Sequence, residues 1–220
     1  MNSHKKRILL VDDHPLVREW LTNLIQQQTD LVVCGETESA PAALSSIVTT
    51  QPDLVIVDIN LKNSSGVELI KDLKKLHPAV PVLVLSMHDE SLYAERVFRA
   101  GARGYVHKRE TAHKMIEAIR RVLDGKMYVG EKTAEILATQ SIKGRAASKP
   151  TAELLSDREL EVFDKLGQGI GTRQIAEDFH VSVKTIQAYC ARIKEKLNLN
   201  SATQLLREAV RWHDSRDESK

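Results

Sequence analysis

Leu9-Leu10-Val11-Asp12-Asp13-His14-Pro15 ends an apolar run in two adjacent carboxylates just ahead of a proline. Carboxylates set side by side repel, and a divalent cation is the most direct way to offset that repulsion. The run itself, from Ile8 to Val11, lacks polar alternation, as does a strand covered on both faces of a parallel sheet.

Similar runs follow at Leu31–Val33, Leu54–Val57 and Val82–Leu85, with a weaker one at Gly104-Tyr105-Val106. Between them lie stretches of helical period: Leu16, Trp20 and Leu24 with Val17 and Leu21, and later Leu69, Leu73 and Leu76 before Pro78. Strand and helix alternating in this way predict an α/β domain over 1–128, a doubly wound five-stranded parallel sheet. Such a sheet binds ligands at the carboxyl ends of its strands. Asp12 and Asp13 follow the first strand, Asp58 ends the third, Ser86 ends the fourth and Lys108 follows the fifth. Any one of these alone reads as a helix cap or a solvated loop residue. Together they converge on one crevice.

Composition fits this picture and narrows it. The 220 residues are 42% hydrophobic and 28% charged, ordinary values for a soluble chain with room for two modest domains. Ile8–Val11 is too short for a signal-peptide core, so a cytoplasmic protein with no membrane partner is expected. Cys34 and Cys190 fall in different domains, which argues against a disulfide, and the histidines form no zinc-binding pattern. Charge is spread evenly: 17 Lys+Arg against 16 Asp+Glu over 1–130, and 11 against 12 over 151–220. Nucleic-acid binding would therefore have to come from a local patch.

After Gly130 the pattern changes. Residues 129–151 read as a linker with room for a short helix, and Ser141 to Thr151, "SIKGRAASKPT", is small, polar and proline-marked. From Leu155 to Trp212 the period is helical throughout. Four helices fit, at 156–168, 172–179, 183–197 and 201–212, making a small all-α domain over 152–213. Gly169 stands at a helix stop, Ser182 and Ser201 suit N-caps, and 214–220 reads as a charged, disordered tail.

The acidic crevice suggests its own chemistry. Mg²⁺ prefers oxygen ligands and keeps several waters, so Asp13 and Asp58 would hold it, with Asp12 direct or through water and the Asn60 backbone carbonyl completing the set. A carboxylate beside Mg²⁺, a lysine and a hydroxyl is equipped to accept a phosphoryl group. Residues 5–125 resemble the receiver domain of bacterial two-component response regulators, whose motif is an acidic pair, an acceptor Asp, a Ser/Thr and a Lys in this order. The resemblance implies Asp58 as phosphoacceptor, Asp12 and Asp13 as the Mg²⁺ site, and Ser86 and Lys108 as the groups that sense the phosphoryl group. Tyr105 matches the aromatic switch. A haloacid-dehalogenase-type phosphatase uses similar groups, but its nucleophile comes early in an Asp-x-Asp motif. Here the pair comes first and Asn60 stands two after Asp58, so no enzyme acting on a separate substrate is expected. The segment Ile59–Gly66 lacks the Pro-Gly of many relatives, which predicts a more mobile loop, and Arg109 replaces a small or acidic residue. His88, two after Ser86, either influences hydrolytic water or is a plain loop histidine.

"LLSDRELEVFDKLGQGIGTRQIAEDFHVSVKTIQAYCARIKEKLNL" resembles the LuxR-type helix-turn-helix. With the receiver it resembles the NarL/FixJ class of response regulators. In the 183–197 helix, Ile186, Cys190, Ile193 and Leu197 form an apolar stripe, with Cys190 as a small buried hydrophobe. Lys184, Gln187, Ala188, Ala191 and Lys194 lie opposite. Small residues permit close approach to a groove and Gln187 suits an adenine edge, so Lys184, Thr185, Gln187, Ala188, Ala191, Arg192 and Lys194 are the expected DNA contacts. Gly171 stands where relatives often have a Ser cap, so the preceding helix of the motif would start less firmly. The resemblance further implies that the last helix, through Leu205, Leu206 and Ala209, pairs two copies on two half-sites, although these residues with Val210 and Trp212 could simply pack inward.

The expected function is transcriptional regulation gated by phosphorylation. A histidine kinase would donate phosphoryl to Asp58, and the changed surface would control binding of a homodimer to double-stranded promoter DNA. The competing reading is a protein-interaction module with a vestigial site, because Gln187, Ala188 and Ala191 carry no charge.

Overall fold

The computed structural model describes residues 5–61, 64–87, 90–130, 134 and 154–217. The chain divides into two compact units, Met1–Arg145 and Ala146–Lys220. In the first, β1 (Lys6–Val11), α1 (Pro15–Gln26), β2 (Leu31–Thr37), α2 (Ala40–Thr50) and β3 (Leu54–Val57) are followed by two short strands, β4 (Asn60–Leu61) and β5 (Ser64–Ser65). Then come α3 (Gly66–Leu76), β6 (Val82–Ser86), α4 (Glu90–Ala100), β7 (Gly104–His107) and α5 (Ala112–Leu123).

The main sheet is parallel in the order β2-β1-β3-β6-β7. The chain steps outward from β1 to β2 and then crosses back to β3, so a crevice opens where β1 and β3 end. Asp12 and Asp58 stand there because each directly follows its strand. The strands are held in step at that point: the Asp58 amide donates to the Val11 carbonyl at 2.8 Å, and the Asp12 amide to Thr37 at 3.1 Å.

The expected apolar runs all lie in strands, and β1, β3 and β6 are buried almost along their length. Ile8, Leu10, Leu54, Ile56, Leu83 and Leu85 project to one face and pack with Leu21 and Ile25 of α1 and Met115 and Ile119 of α5. Each such side chain contributes about 1.5–3 kcal/mol through burial, which keeps the strand ends rigid beneath the crevice. β2 continues through Cys34–Thr37, past the run that marks its start. It is an edge strand with half-buried residues, where polar side chains are tolerated and an all-apolar pattern is not required.

In the segment after Asp58, Asn60 and Leu61 pair with Ser65 and Ser64 as an antiparallel ribbon. Ser64 Oγ accepts from the Ala40 amide at 3.2 Å and Ser65 Oγ caps α3.

The second unit contains α6 (Asp157–Gly167), α7 (Thr172–Asp178), α8 (Val183–Lys196) and α9 (Ala202–Asp217). Ser182 and Ser201 cap their helices through the Thr185 and Gln204 amides at 3.1 Å each, and α7 starts at Gly171 without a side-chain cap. Gly169 at φ 78° turns the chain out of α6 in the left-handed region that glycine adopts without penalty. Leu160, Phe163, Ile175, Ile186 and Ile193 are buried, and Trp212 stacks on Phe163 with centroids 5.5 Å apart. The last helix is longer than its period suggested and runs to Asp217, so the expected disorder from Asp214 does not hold for 214–217.

On α9, Leu205 and Ala209 belong to the core of their own unit, at 4% and 0% exposure, which is the inward packing held as the alternative for these residues. A Cβ at Gly167 would stand 2.5 Å from the Ala209 carbonyl oxygen, so α9 lies tight against α6 there. Only Leu206 of the three expected pairing residues remains exposed, with Val210 beside it. Most of the expected linker, 131–133 and 135–151, lies outside the described residues, as do 152–153 at the start of the expected helical domain and His88.

Candidate functional site

Strand ends bring Asp12, Asp13, Asp58 and Lys108 into contact although Asp58 and Lys108 are fifty residues apart. Lys108 Nζ stands 2.7 Å from Asp12 Oδ2 and 2.7 Å from Asp58 Oδ2, and its side chain is only 8% exposed. The Lys108 amide donates to the Ser86 carbonyl at 2.8 Å, which fixes the lysine beside the end of β6. Ser86 and Tyr105 are both buried, at 0% and 1% exposure.

The electrostatics follow from burial and count. The Asp58 carboxyl is pushed up to about 7, chiefly by burial and in part by Asp12, against the opposing charge and hydrogen bond of Lys108 and the hydrogen bond of the Asn60 amide. For Lys108 burial acts downward, but Asp58 and Asp12 together hold its ammonium above the ordinary range. Three carboxyl groups face one ammonium, so acidic groups are in excess. That excess of oxygen donors suits a divalent cation.

The donors fit such a cation. Asp12 Oδ2 and Asp13 Oδ1 are buried without a hydrogen-bond partner among the described residues, although Lys108 and the His14 ring pair with them electrostatically. One ligating atom from each of Asp12, Asp13, His14 and Asp58 can be chosen so that all lie within 4.8 Å of one another. Asn60 lies in the short ribbon beside them.

On the second unit, Lys184, Gln187, Ala188, Ala191 and Arg192 form the exposed face of α8, while Thr185 and Lys194 are half-buried. The Thr185 hydroxyl is within 2.9 Å of Ser182 Oγ in the cap. Arg192 lies over the Tyr189 ring at 4.7 Å and pairs with Glu159 at 3.5 Å. Lys196 Nζ meets the same carboxylate at 2.6 Å. Cys190 is half-buried and its thiol is raised by that burial, as for a packing residue rather than a reactive one.

Two family descriptions match the chain: "Response regulator receiver domain" over residues 8–120 and "Bacterial regulatory proteins, luxR family" over 153–209. The chain belongs to the LuxR-type response regulators. It is 30% identical to the transcriptional regulatory protein DegU of Brevibacillus brevis, over 96% of this chain and 95% of the relative. It is 34% identical to the transcriptional activator protein ExaE of Pseudomonas putida, over 92% and 95%. Among solved structures, a LuxR-family two-component response regulator from Aurantimonas sp. is 33% identical with TM-score 0.59, covering 63% of this chain and 99% of its own. RcsB of Salmonella typhimurium, at 23% identity and TM-score 0.56 over 93% and 98%, shares the fold.

Some residues that shape this response regulator do not stand out in its sequence. Gly66 opens α3 against the acceptor loop, and a Cβ there would fall 2.0 Å from the Asp58 carbonyl oxygen. Its signal was a glycine at the head of a helix eight residues after a strand-end aspartate. His14 joins the carboxylates directly, with Nδ1 at 2.8 Å from Asp13 Oδ1 and 3.1 Å from Asp12 Oδ1. Glu159 closes a capping box with Ser156 while binding α8; the signal that could have found it is the Ser-x-x-Glu spacing.

Proposed function

We propose that this response regulator accepts a phosphoryl group on Asp58 from a phosphohistidine of a kinase and thereby controls its binding, as a homodimer, to double-stranded promoter DNA. The observation that carries the reading is the single buried ammonium of Lys108 shared at 2.7 Å by Asp12 and Asp58. An Asp58 oxygen attacks phosphorus, the P–N bond breaks, and the imidazole leaves with a proton. Lys108 follows the new negative charge and turns from the carboxylates to the phosphoryl oxygens. The Ser86 hydroxyl, from the next strand end, donates to one of them, and its movement lets the buried Tyr105 ring re-seat. A Mg²⁺ ion held by Asp12, Asp13, Asp58 and the Asn60 carbonyl supplies charge neutralisation at the phosphoryl oxygens. The domain assists only its own phosphorylation and dephosphorylation, in the cytoplasm.

The exposed face of α8 fits a major groove, with Gln187 suited to an adenine edge and Ala188 and Ala191 to thymine methyls. Lys184, Arg192 and Lys194 supply phosphate contacts. Leu206 and Val210, exposed on α9, offer an apolar surface for pairing two copies. Selection of bound sequences from randomised duplexes, with and without acetyl phosphate, tests the reading. Enrichment of paired half-sites that strengthens on phosphorylation supports it; binding without sequence preference favours a protein-interaction module instead.

A further inference from the structure

His14 is positioned by the backbone rather than by chance. Its amide donates to Asp12 Oδ1 at 2.9 Å, and Pro15 at the first position of α1 fixes the following φ, so the ring leans over the carboxylates. Nδ1 lies 2.8 Å from Asp13 Oδ1, 3.1 Å from Asp12 Oδ1 and 4.0 Å from Asp58 Oδ2, while the ring is 62% exposed. Donors on neighbouring corners of an octahedron with bonds of about 2.1 Å stand about 3 Å apart, and those on opposite corners about 4.2 Å. The imidazole nitrogen therefore stands where a further ligand of a cation on Asp12 and Asp13 would stand. Asp12 Oδ2 and Asp13 Oδ1 are buried and face only the Lys108 ammonium at 2.7 Å and the His14 ring at 2.8 Å among the described residues.

We propose that His14 is a nitrogen ligand of the receiver cation site, so that the site prefers first-row transition-metal ions to Mg²⁺. This rests on the reading of that crevice as the cation site. Mg²⁺ is hard and gains little from an imidazole, whereas affinity for Mn²⁺ through Ni²⁺ rises with nitrogen donors. Exposure of the ring allows it to swing aside when Mg²⁺ binds through oxygen alone. The regulator's site thus answers to which divalent ion is present as well as to the kinase.

The test uses the full chain, with affinities for Mg²⁺, Mn²⁺ and Ni²⁺ measured by calorimetry on wild type, His14→Ala and Asp13→Asn. Asp13→Asn defines, by subtraction, binding at other histidines. The expected result is roughly tenfold or greater loss of Ni²⁺ affinity in His14→Ala, with Mg²⁺ affinity within about twofold of wild type. Bound Mn²⁺ should show a directly coordinated nitrogen in pulsed electron paramagnetic resonance that vanishes in His14→Ala. If His14 is only a counter-charge, its removal tightens all three ions alike and no nitrogen signal is seen; that overturns the proposal and leaves Mg²⁺ binding and the phosphorylation reading standing. Unchanged binding of all three ions in Asp13→Asn overturns the cation site itself.

Discussion

Lys196 Nζ on α8 lies 2.6 Å from Glu159 Oε2 on α6, and the same oxygen accepts from the Ser156 amide at 2.8 Å. One carboxylate thus completes the start of α6 and ties down the helix that carries the exposed Lys184–Arg192 face. Arg192 and Lys196 are partly neutralised by it, so the DNA-facing charge of α8 is smaller than its sequence suggests.

Acid should loosen this arrangement. Burial raises the Glu159 carboxyl, but Lys196 together with the Ser156 amide and hydroxyl outweighs burial and holds it below the ordinary range. A carboxyl depressed in the folded state stabilises above its unfolded value of about 4.3 and loses that contribution as pH falls through the folded value. Glu159→Gln, which keeps an acceptor for the cap, should cost about 1 kcal/mol at pH 7, since Lys196 is partly exposed. Urea unfolding between pH 7 and 3 should show a shallower acid limb in the variant.

Salt dependence separates the lysines of α8. Lys184 faces outward on the exposed face, so Lys184→Ala should lower the slope of log affinity against log salt by about one. Lys196→Ala should change the slope less while lowering the melting temperature of the C-terminal unit. Gln187→Ala should relax base preference at one position, by about 1–3 kcal/mol. Fluorescence anisotropy with the selected duplex at several salt concentrations reads all three.

In the metal-free protein Asp58 should make stability fall with rising pH. Its folded value, pushed up to about 7 chiefly by burial, lies above the unfolded value, so the folded state holds more protons between about 4 and 7. Stability contributed by this group is therefore greatest in acid and is lost as pH rises through 7. Asp58→Asn has no such titration. Unfolding of both proteins in a chelator from pH 5 to 8 should give a difference that grows with pH, and saturating Mg²⁺ should diminish it.

Gly66→Ala should damage the site without touching any of its charged groups. The added methyl meets the Asp58 carbonyl at 2.0 Å, so α3 or the Asp58 peptide must shift. A loss of about 1–3 kcal/mol is expected, together with weaker Mg²⁺ binding in calorimetry. Gly125→Ala is a control for strain at a distance from the site, because its methyl would meet nothing within 4 Å while φ there is 77°.

The sequence disclosed the sheet because parallel strands buried on both faces read as bare apolar runs, and strand-end polar residues then marked the crevice. Where burial is partial the signal weakens, as along Cys34–Thr37 in the edge strand. Close approach between elements is not periodic: the spacing of Leu205 and Ala209 allowed inward packing but did not say that Gly167 would be its partner, or that Gly66 would meet Asp58. His14 follows the acidic pair directly in the chain, yet its place among the carboxylates depends on a backbone turn. The helical stripe of α8 was legible, but the capture of Arg192 and Lys196 by Glu159 joins helices distant in sequence.

Phosphorylation at Asp58 is tested most directly by the intact mass of the protein after incubation with acetyl phosphate, with and without Mg²⁺, for wild type and Asp58→Asn. The expected result is an adduct of one phosphoryl group that requires Mg²⁺ and is absent from Asp58→Asn. An adduct of the same yield on Asp58→Asn would contradict it, because another residue would then be the acceptor.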